Sequence, residues 1–487
     1  MKKSPKSFII TALLFTLLTP LYSIADSRES VVDIGSHREL FFDNYLIDKM
    51  DGTRLRMHSP ISAGKVLQFD KPWEGRYCGY ITTFTDGDRF RLYYRGLPES
   101  GKDGSNNEVT CYAESRDGIH WNKPNLGIYE INDSTNNNVV LKDMAPLSHN
   151  FSPFLDSKPD VPDSQRYKAL AGTEKSGLVG FVSADGLHWE KIRQEPLITQ
   201  GVFDSQNVAF WSPSESCYVC YFRTWSGGGY NGFRTVSRCT SPDFINWSEP
   251  VAMTFGDMPM EHLYTSQTHS YFRAPHIYIA YPARFMPGRK VLTKEQFAEI
   301  GGEAKYAIDC SETCFMSSRG GNRYNRTFME GFIRPGLGIN NWSSRTNYTA
   351  CGTIPTGANQ MSLFIQRNYG QPTHYLERLT LRTDGFASIN APFAGGEMIT
   401  KPLRFQGEKL TINFSTSAAG SIWVEIQDKE GKPIEGFSKN DCDEIIGDQI
   451  KRTVSWKGNS KINSLSGKTI CLKFVMKDAD LYSIKFE

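Results

Sequence analysis

From about residue 80 onward, short runs of alternating apolar and polar residues are broken at regular intervals by Asp-Gly pairs. I-T-T-F-T-D-G-D-R-F-R-L-Y-Y-R-G reads as a strand, a tight turn and a second strand ending in Arg95. E-V-T-C-Y-A-E-S-R-D-G-I-H-W-N-K-P then adds a third strand, a second turn and a fourth strand. Alternation, β-branched and aromatic residues, and Asp-Gly punctuation are the marks of hairpins.

The pattern repeats. S-R-D-G-I-H-W at 115–121 returns as S-A-D-G-L-H-W at 183–189 and, more loosely, as S-P-D-F-I-N-W at 241–247. Around each copy stand comparable strands, and two further units without the phrase follow, through H-S-Y-F-R-A-P and M-S-L-F-I-Q-R. A four-stranded meander of this size cannot bury its faces alone, so such units pack side by side around an axis. Five units over 70–395 predict a five-bladed β-propeller, all-β in class. In the phrase, Ser and Asp accept backbone N–H groups and Gly takes a positive φ, so it builds the hairpin between the third and fourth strands of a blade. Asp117, Asp185 and Asp243 are therefore architectural, and Trp121, Trp189 and Trp247 are expected to pack between blades.

After residue 396 the phrase disappears. K-L-T-I-N-F-S-T, S-I-W-V-E-I-Q-D and T-I-C-L-K-F-V-M predict a C-terminal β-sandwich over 396–487. Residues 26–69 are a lead-in whose H-R-E-L-F-F-D-N-Y-L-I-D closes the ring or bridges to the sandwich. Residues 1–25 combine a basic start, a short apolar core and small residues at Ser23 and Ala25. That is a secretory signal peptide, and it predicts a secreted or periplasmic protein with no membrane association after its removal.

Charge adds little. A net charge of +2 gives no reason to expect a nucleic-acid partner. The 10 cysteines mostly lie in apolar runs and read as buried thiols. Cys217 and Cys220 have C-x-x-C spacing without a second pair, so no metal site is assigned to them. No cofactor is expected, and no calcium-ligand loop is legible. Oligomeric state is left open.

Topology directs the search for chemistry. In a blade, the start of strand one, the end of strand two and the start of strand three share one face, opposite the Ser-x-Asp-Gly turn. Strand two ends in Arg95, Arg223, Arg284 and Arg367. F-D-S-Q-N brings Asp204, Gln206 and Asn207 toward the axis, and P-M-E-H-L-Y-T-S-Q brings Glu261, His262 and Gln267. Glu74, Glu108, His149 and Asn150 fall on the same face. Paired carboxylates suit glycosidic cleavage, one protonating the leaving oxygen while the other activates water or attacks the sugar. Asp204 and Glu261 are the first choice for that pair, with Glu74 and Glu108 behind them. Arg95, Arg223 and Arg284, with Gln206, Asn207, His262, Asn150 and Trp225, are the expected substrate-binding set. Several arginines suit a glycan carrying carboxylate or sulfate. Trp225 and Tyr230 are placed to stack on a sugar face.

The blade text Y-R-G … C-Y-A-E-S-R-D-G-I-H-W-N-K-P resembles the five-bladed propellers of glycoside hydrolase families 32 and 43. The trailing sandwich is similar to the one that follows the propeller in family 32. F-D-S-Q-N, E-H-L-Y-T and K-P-L-R-F also resemble a large set of secreted proteins of polysaccharide-degrading bacteria. The resemblance implies a carbohydrate substrate. The motifs W-x-N-D-P-N-G, R-D-P and E-C of family 32 are absent, so no catalytic residue carries over. The repeated phrase is similar to the sialidase Asp-box but one residue shorter between Asp and Gly. Three readings follow: an exported glycoside hydrolase, a non-catalytic glycan-binding propeller, and a sialidase-like enzyme with a tyrosine nucleophile beside an arginine cluster.

Overall fold

The computed structural model describes residues 31–487. The stretch read as a signal peptide lies outside them. Within the described residues, no helix is long and apolar enough to cross a membrane.

The alternating runs form five antiparallel sheets around one axis. Blade I runs Gly79–Asp86, Arg89–Gly96, Val109–Ser115 and Val139–Leu141. Blade II runs Ser152–Leu155, Tyr167–Ala171, Val179–Ser183 and Glu190–Lys191. Blade III runs Val208–Ser212, Cys217–Trp225, Arg234–Ser241 and Val251–Ala252.

Blades IV and V depart from the regular meander. Blade IV has three strands, His269–Tyr271, Ala274–Ala280 and Met316–Ser318. A separate ladder, Ala283–Met286 with Cys310–Thr313, prolongs it toward the site. The excursion between these two strands carries a short helix, Lys294–Glu299, whose Thr293 and Gln296 form a capping box. Blade V takes its fourth strand from the lead-in: Ile61–Gln68 pairs antiparallel with Tyr375–Arg382. The ring is thus closed by hydrogen bonds between the two ends of the propeller segment. The lead-in is more than an approach to the propeller, and the propeller's strands begin before residue 70.

The Ser-x-Asp-Gly turns form as their chemistry requires. In blade II, Ser183 Oγ accepts from the Gly186 amide at 2.9 Å, and Asp185 Oδ1 accepts from the Leu187 and His188 amides at 2.8 and 2.9 Å. Gly186 has φ +76, and a Cβ there would lie 2.7 Å from the Tyr93 hydroxyl of blade I. The glycine therefore serves the turn and the close approach of blades together. Blade III replaces it with Phe244 at φ 68, fully buried against Phe154 and Tyr218. Trp121 meets Phe364 of blade V edge-on at 5.6 Å, and Trp189 meets Tyr93 of blade I at 6.3 Å. Trp247 joins the apolar cluster that blades II and III share.

The C-terminal strands belong to a ten-stranded network built on Leu410–Gln427 and Thr469–Phe486. Both strands contribute to one apolar core with Met398, Phe405 and Trp456. Four of the ten strands come from the lead-in: Val32–Gly35, Arg38–Leu40, Ile47–Asp51 and Arg54–Met57. Ala387–Ala391 also pairs here rather than in blade V. The chain therefore starts in the C-terminal unit, crosses to close the propeller, traverses five blades and returns. Apolar residues of both units, including Phe42, Phe315 and Phe386, share one buried cluster. Cys220 and Cys239 are buried and lie opposite each other on paired strands of blade III.

Candidate active site

The face opposite the Ser-x-Asp-Gly turns carries a cavity of about 110 Å³ at the propeller axis. Its wall includes Gly79, Tyr80, Arg95, Asp103, His149, Asp204, Tyr264, Arg345, Tyr348, Gln366 and Tyr369. Asp103 and Asp204 also line a broader groove of about 580 Å³ with Glu174, Lys175 and Tyr230. The two aspartates stand at the junction of cavity and groove. Below, Gln206 and Gln267 tie the blades together across the axis. The Gln206 side-chain amide donates to Thr82 Oγ1 and the Ile81 carbonyl, and that of Gln267 donates to Gln206 and the Thr349 carbonyl. This network forms the floor. The excursion from blade IV packs beside the cavity, where the Tyr306 ring meets Tyr77 at a tilt and Tyr369 edge-on, at 5.6 and 5.8 Å.

Arginine dominates the charge. Arg95 donates to the Tyr77 carbonyl at 3.0 Å and lies 3.6 Å from Asp103 and 3.5 Å from Glu108. Arg345 pairs with Asp103 at 3.8 Å. Arg223 pairs with Asp204 and stacks over the Tyr264 ring at 4.5 Å. Asp103 and Asp204 keep 40% and 39% of their side chains exposed, so both reach the cavity edge. Among the described residues several donors lack partners: Arg95 Nε, Arg223 Nε and Nη1, and the Tyr348 hydroxyl are buried with no hydrogen-bond acceptor. Buried guanidinium donors without an acceptor carry a desolvation cost.

The titrating groups respond to this field. Burial works against ionisation of Asp103, but Arg95 and Arg345 outweigh it and hold its carboxyl below the usual range. Tyr264 follows the same logic. Burial opposes its ionisation, yet Arg345, Arg223 and Arg234 bring its phenol below the ordinary tyrosine value. Asp309, beside this cluster, goes the other way: burial raises it against the pull of Ser344, Arg345 and Arg234. Backbone conformation marks the site too. Tyr80 at φ 51 and Arg345 at φ 60 both take left-handed backbone, which costs a non-glycine residue about 1–2 kcal/mol. Such conformations persist where surrounding packing over-determines them, often at functional sites.

Asp103, Glu108 and His149 offer ligand atoms within 4.8 Å of one another. The Arg95 guanidinium lies 3.3–3.6 Å from all three, so the positive charge in their midst is the arginine's.

Of the residues expected from sequence, Asp204, Arg95 and His149 line the cavity, and Arg223 stands behind its wall. The remaining expected residues are placed elsewhere. Glu261 does not pair with Asp204. Its two oxygens are taken by Arg284 at 2.6 Å and Arg326 at 2.9 Å, and Arg284 also binds Glu312 at 2.5 Å, so Arg284 is not free for substrate. Glu74 is fully buried and accepts from Tyr94 at 2.6 Å and Lys123 at 2.7 Å, a structural knot inside blade I. Glu108 is fully buried behind His149 rather than on the surface of the cavity. Gln206, Asn207 and Asn150 are spent on backbone carbonyls and neighbouring blades; Asn150 alone donates to Gly172, Phe203 and Ser205. His262 accepts from the Arg234 amide at 3.1 Å, and Trp225 lies under the Arg234 guanidinium at 4.4 Å. Both sit beside the cavity wall without joining it. Arg367 is bound to Glu377 and Asn347.

Asp103, Tyr80, Tyr264, Arg345 and Tyr348 were not singled out by sequence. Asp103 precedes the polar loop G-S-N-N-E, the one local signal available. Arg345 comes from an irregular stretch that no strand pattern reaches.

No protein-family model matches the chain, and no curated protein sequence does. Solved structures with similar coordinates include a glycoside hydrolase (10% identity, TM-score 0.46, 66% of this chain and 92% of that one). Another is a glycoside hydrolase family 43 arabinoxylan arabinofuranohydrolase from Bacillus subtilis (12% identity, TM-score 0.43, 88% and 99%). A third is an N-acetylgalactosamine deacetylase from F. plautii (10% identity, TM-score 0.45, 68% and 96%). At this distance the matches assign no residue of the cavity.

Proposed function

We propose that the chain is an exported glycoside hydrolase that takes a sugar bearing a carboxylate or sulfate into the axial cavity. One observation carries the reading. The guanidinium groups of Arg95 and Arg345 line a cavity edged by two partly exposed carboxylates, and Arg223 stands behind its wall, paired with one of them. The arginines suit the substrate's anion and the tyrosines Tyr80, Tyr264 and Tyr369 suit its ring. Asp204, with Asp103 beside it, supplies the negative charge that activates water or stabilises an oxocarbenium-like transition state. The groove past Tyr230 accommodates the rest of the glycan.

A sialidase-like mechanism is the second reading, favoured by Tyr264 alone. A phenol held below its ordinary value by three arginines is the state an attacking tyrosine needs.

The test is a release assay with neutral, uronate-containing, sialylated and sulfated glycans. Release of an acidic sugar by wild type, abolished in Asp204→Asn and weakened in Arg345→Ala mainly through KM, supports the proposal. Loss in Tyr264→Phe with activity kept in Asp204→Asn favours the second reading. Binding without release by any variant makes the protein a glycan-binding propeller.

A further inference from the structure

We propose that His149, oriented by the buried carboxylate of Glu108, passes the proton to the leaving oxygen in the hydrolysis proposed above. The inference rests on that hydrolase reading and names a group it leaves open. A glycosidase needs one proton donor as well as a carboxylate. Both carboxylates at the cavity edge are tied to guanidinium groups, Asp103 to Arg95 and Arg345, and Asp204 to Arg223. The arginines beside Asp103 favour its ionised form, which accepts protons and does not supply them. Asp309 is pushed toward protonation but is not part of the cavity wall.

His149 has the geometry these carboxylates lack. It lies in the cavity wall, at the end of the short turn Leu147–His149. Its Nδ1 sits 2.8 Å from Glu108 Oε1, which places the ring N–H on Nδ1. Glu108 is itself fully buried and fixed by the Gly104 amide at 2.8 Å. A base held by a buried carboxylate through one nitrogen leaves the other nitrogen to exchange protons with substrate. Among the described residues Nε2 has no hydrogen-bond partner. The groups facing the ring are Glu108, Asp103, the Arg95 guanidinium 3.3 Å from Nδ1, and the edge of Tyr80 at 5.4 Å. Glu108 is a positioning residue here.

Protonated His149 gives its Nε2 proton to the glycosidic oxygen as the carbon–oxygen bond breaks, and the bonding pair leaves with that oxygen as an alcohol. Water adds its oxygen to the anomeric carbon and loses a proton to Asp204. That proton returns to His149 through solvent, so one water is consumed and the protein is unchanged.

The experiment compares two substrates of the released sugar, the native glycan and its 2,4-dinitrophenyl glycoside, whose leaving group departs without protonation. For His149→Ala, kcat/KM on the native glycan is expected to fall about 10²–10⁴-fold, the ordinary worth of a general acid. The loss on the dinitrophenyl glycoside is expected to be at least about tenfold smaller. Glu108→Gln, which keeps the shape of the partner, is expected to show the same asymmetry in weaker form and to displace the basic limb of the pH profile. Circular dichroism establishes that both variants are folded; should His149→Ala fail to fold, Glu108→Gln decides. Equal losses on both substrates, or an unmoved basic limb, overturn the role of His149 while leaving the hydrolase reading intact. Absence of release by wild type from every glycan overturns both.

Discussion

Glu261 separates two kinds of argument, one from sequence position and one from packing. Sequence places it on the catalytic face, where Glu261→Gln would abolish turnover. The structure makes it the anion of a cluster with Arg284 and Arg326, whose side chains are 15% and 2% exposed. Replacing its carboxylate by an amide leaves Arg284 bound to Glu312. Arg326 then loses the one carboxylate it has among the described residues and keeps carbonyl contacts, including that of Met329 at 3.4 Å. Stranding a buried guanidinium costs about 3–5 kcal/mol when nothing replaces the partner. The glutamine oxygen still accepts one hydrogen bond and recovers about 1 kcal/mol. A net loss of about 2–4 kcal/mol is therefore expected, read from denaturant midpoints at constant slope. Below the unfolding transition, kcat of Glu261→Gln should stay within about threefold of wild type, because nothing that touches the reacting atoms has changed. A stability change under about 0.5 kcal/mol, the usual range for surface substitutions, with kcat down a hundredfold would refute the reasoning.

Two further predictions concern the turns and the blade contacts. Burial opposes ionisation of Asp185 and Asp243, but turn amides, from His188 and Leu187 and from Asn246 and Ile245, bring both to about 2 from the usual 3.8. A depressed carboxylate contributes stability above its unfolded value, and that contribution is lost as pH falls from about 4 to about 2. Both groups are largely exposed, so about 1 kcal/mol each is the upper scale after screening. Asp185→Asn should flatten the acid limb of stability measured against pH; an unchanged limb would refute the cap. Trp189→Ala removes a ring that meets Phe151 at 5.0 Å and Tyr93 of the neighbouring blade at 6.3 Å. Because the ring is only partly buried, a loss of about 2–3 kcal/mol is expected, at or below the low end for such truncations. A thermal melt indistinguishable from wild type would refute the role of Trp189 between blades.

The propeller was legible because its signals are local. Ser-x-Asp-Gly specifies a turn through atoms two or three residues apart, and alternation specifies which face of a strand is buried. Arg95, Asp204 and His149 were found because strand direction alone assigns one end of each strand to the cavity face. The same rule put Glu261 and Arg284 on that face and then misread them. Strand direction gives the end of a blade at which a residue lies, but not which neighbour takes its charge. Arg326, which holds Glu261, lies 65 residues away in sequence. Asp103 and Arg345 escaped notice because they come from irregular segments without periodicity.

The sequence by itself determined the repeat, the blade hairpins and the interblade tryptophans, since each rests on hydrogen bonds and side-chain spacing within one short segment. Tertiary structure alone decided the rest. It brought Ile61–Gln68 against Tyr375–Arg382 to close the ring, drew four lead-in strands into the C-terminal network, and divided the charges. Glu261 became a structural anion, while Asp103 and Asp204 were left partly exposed at the cavity edge. The physical reason is that a buried charge is governed by the nearest opposite charge in space, and in a propeller that neighbour comes from a different blade or a distant loop.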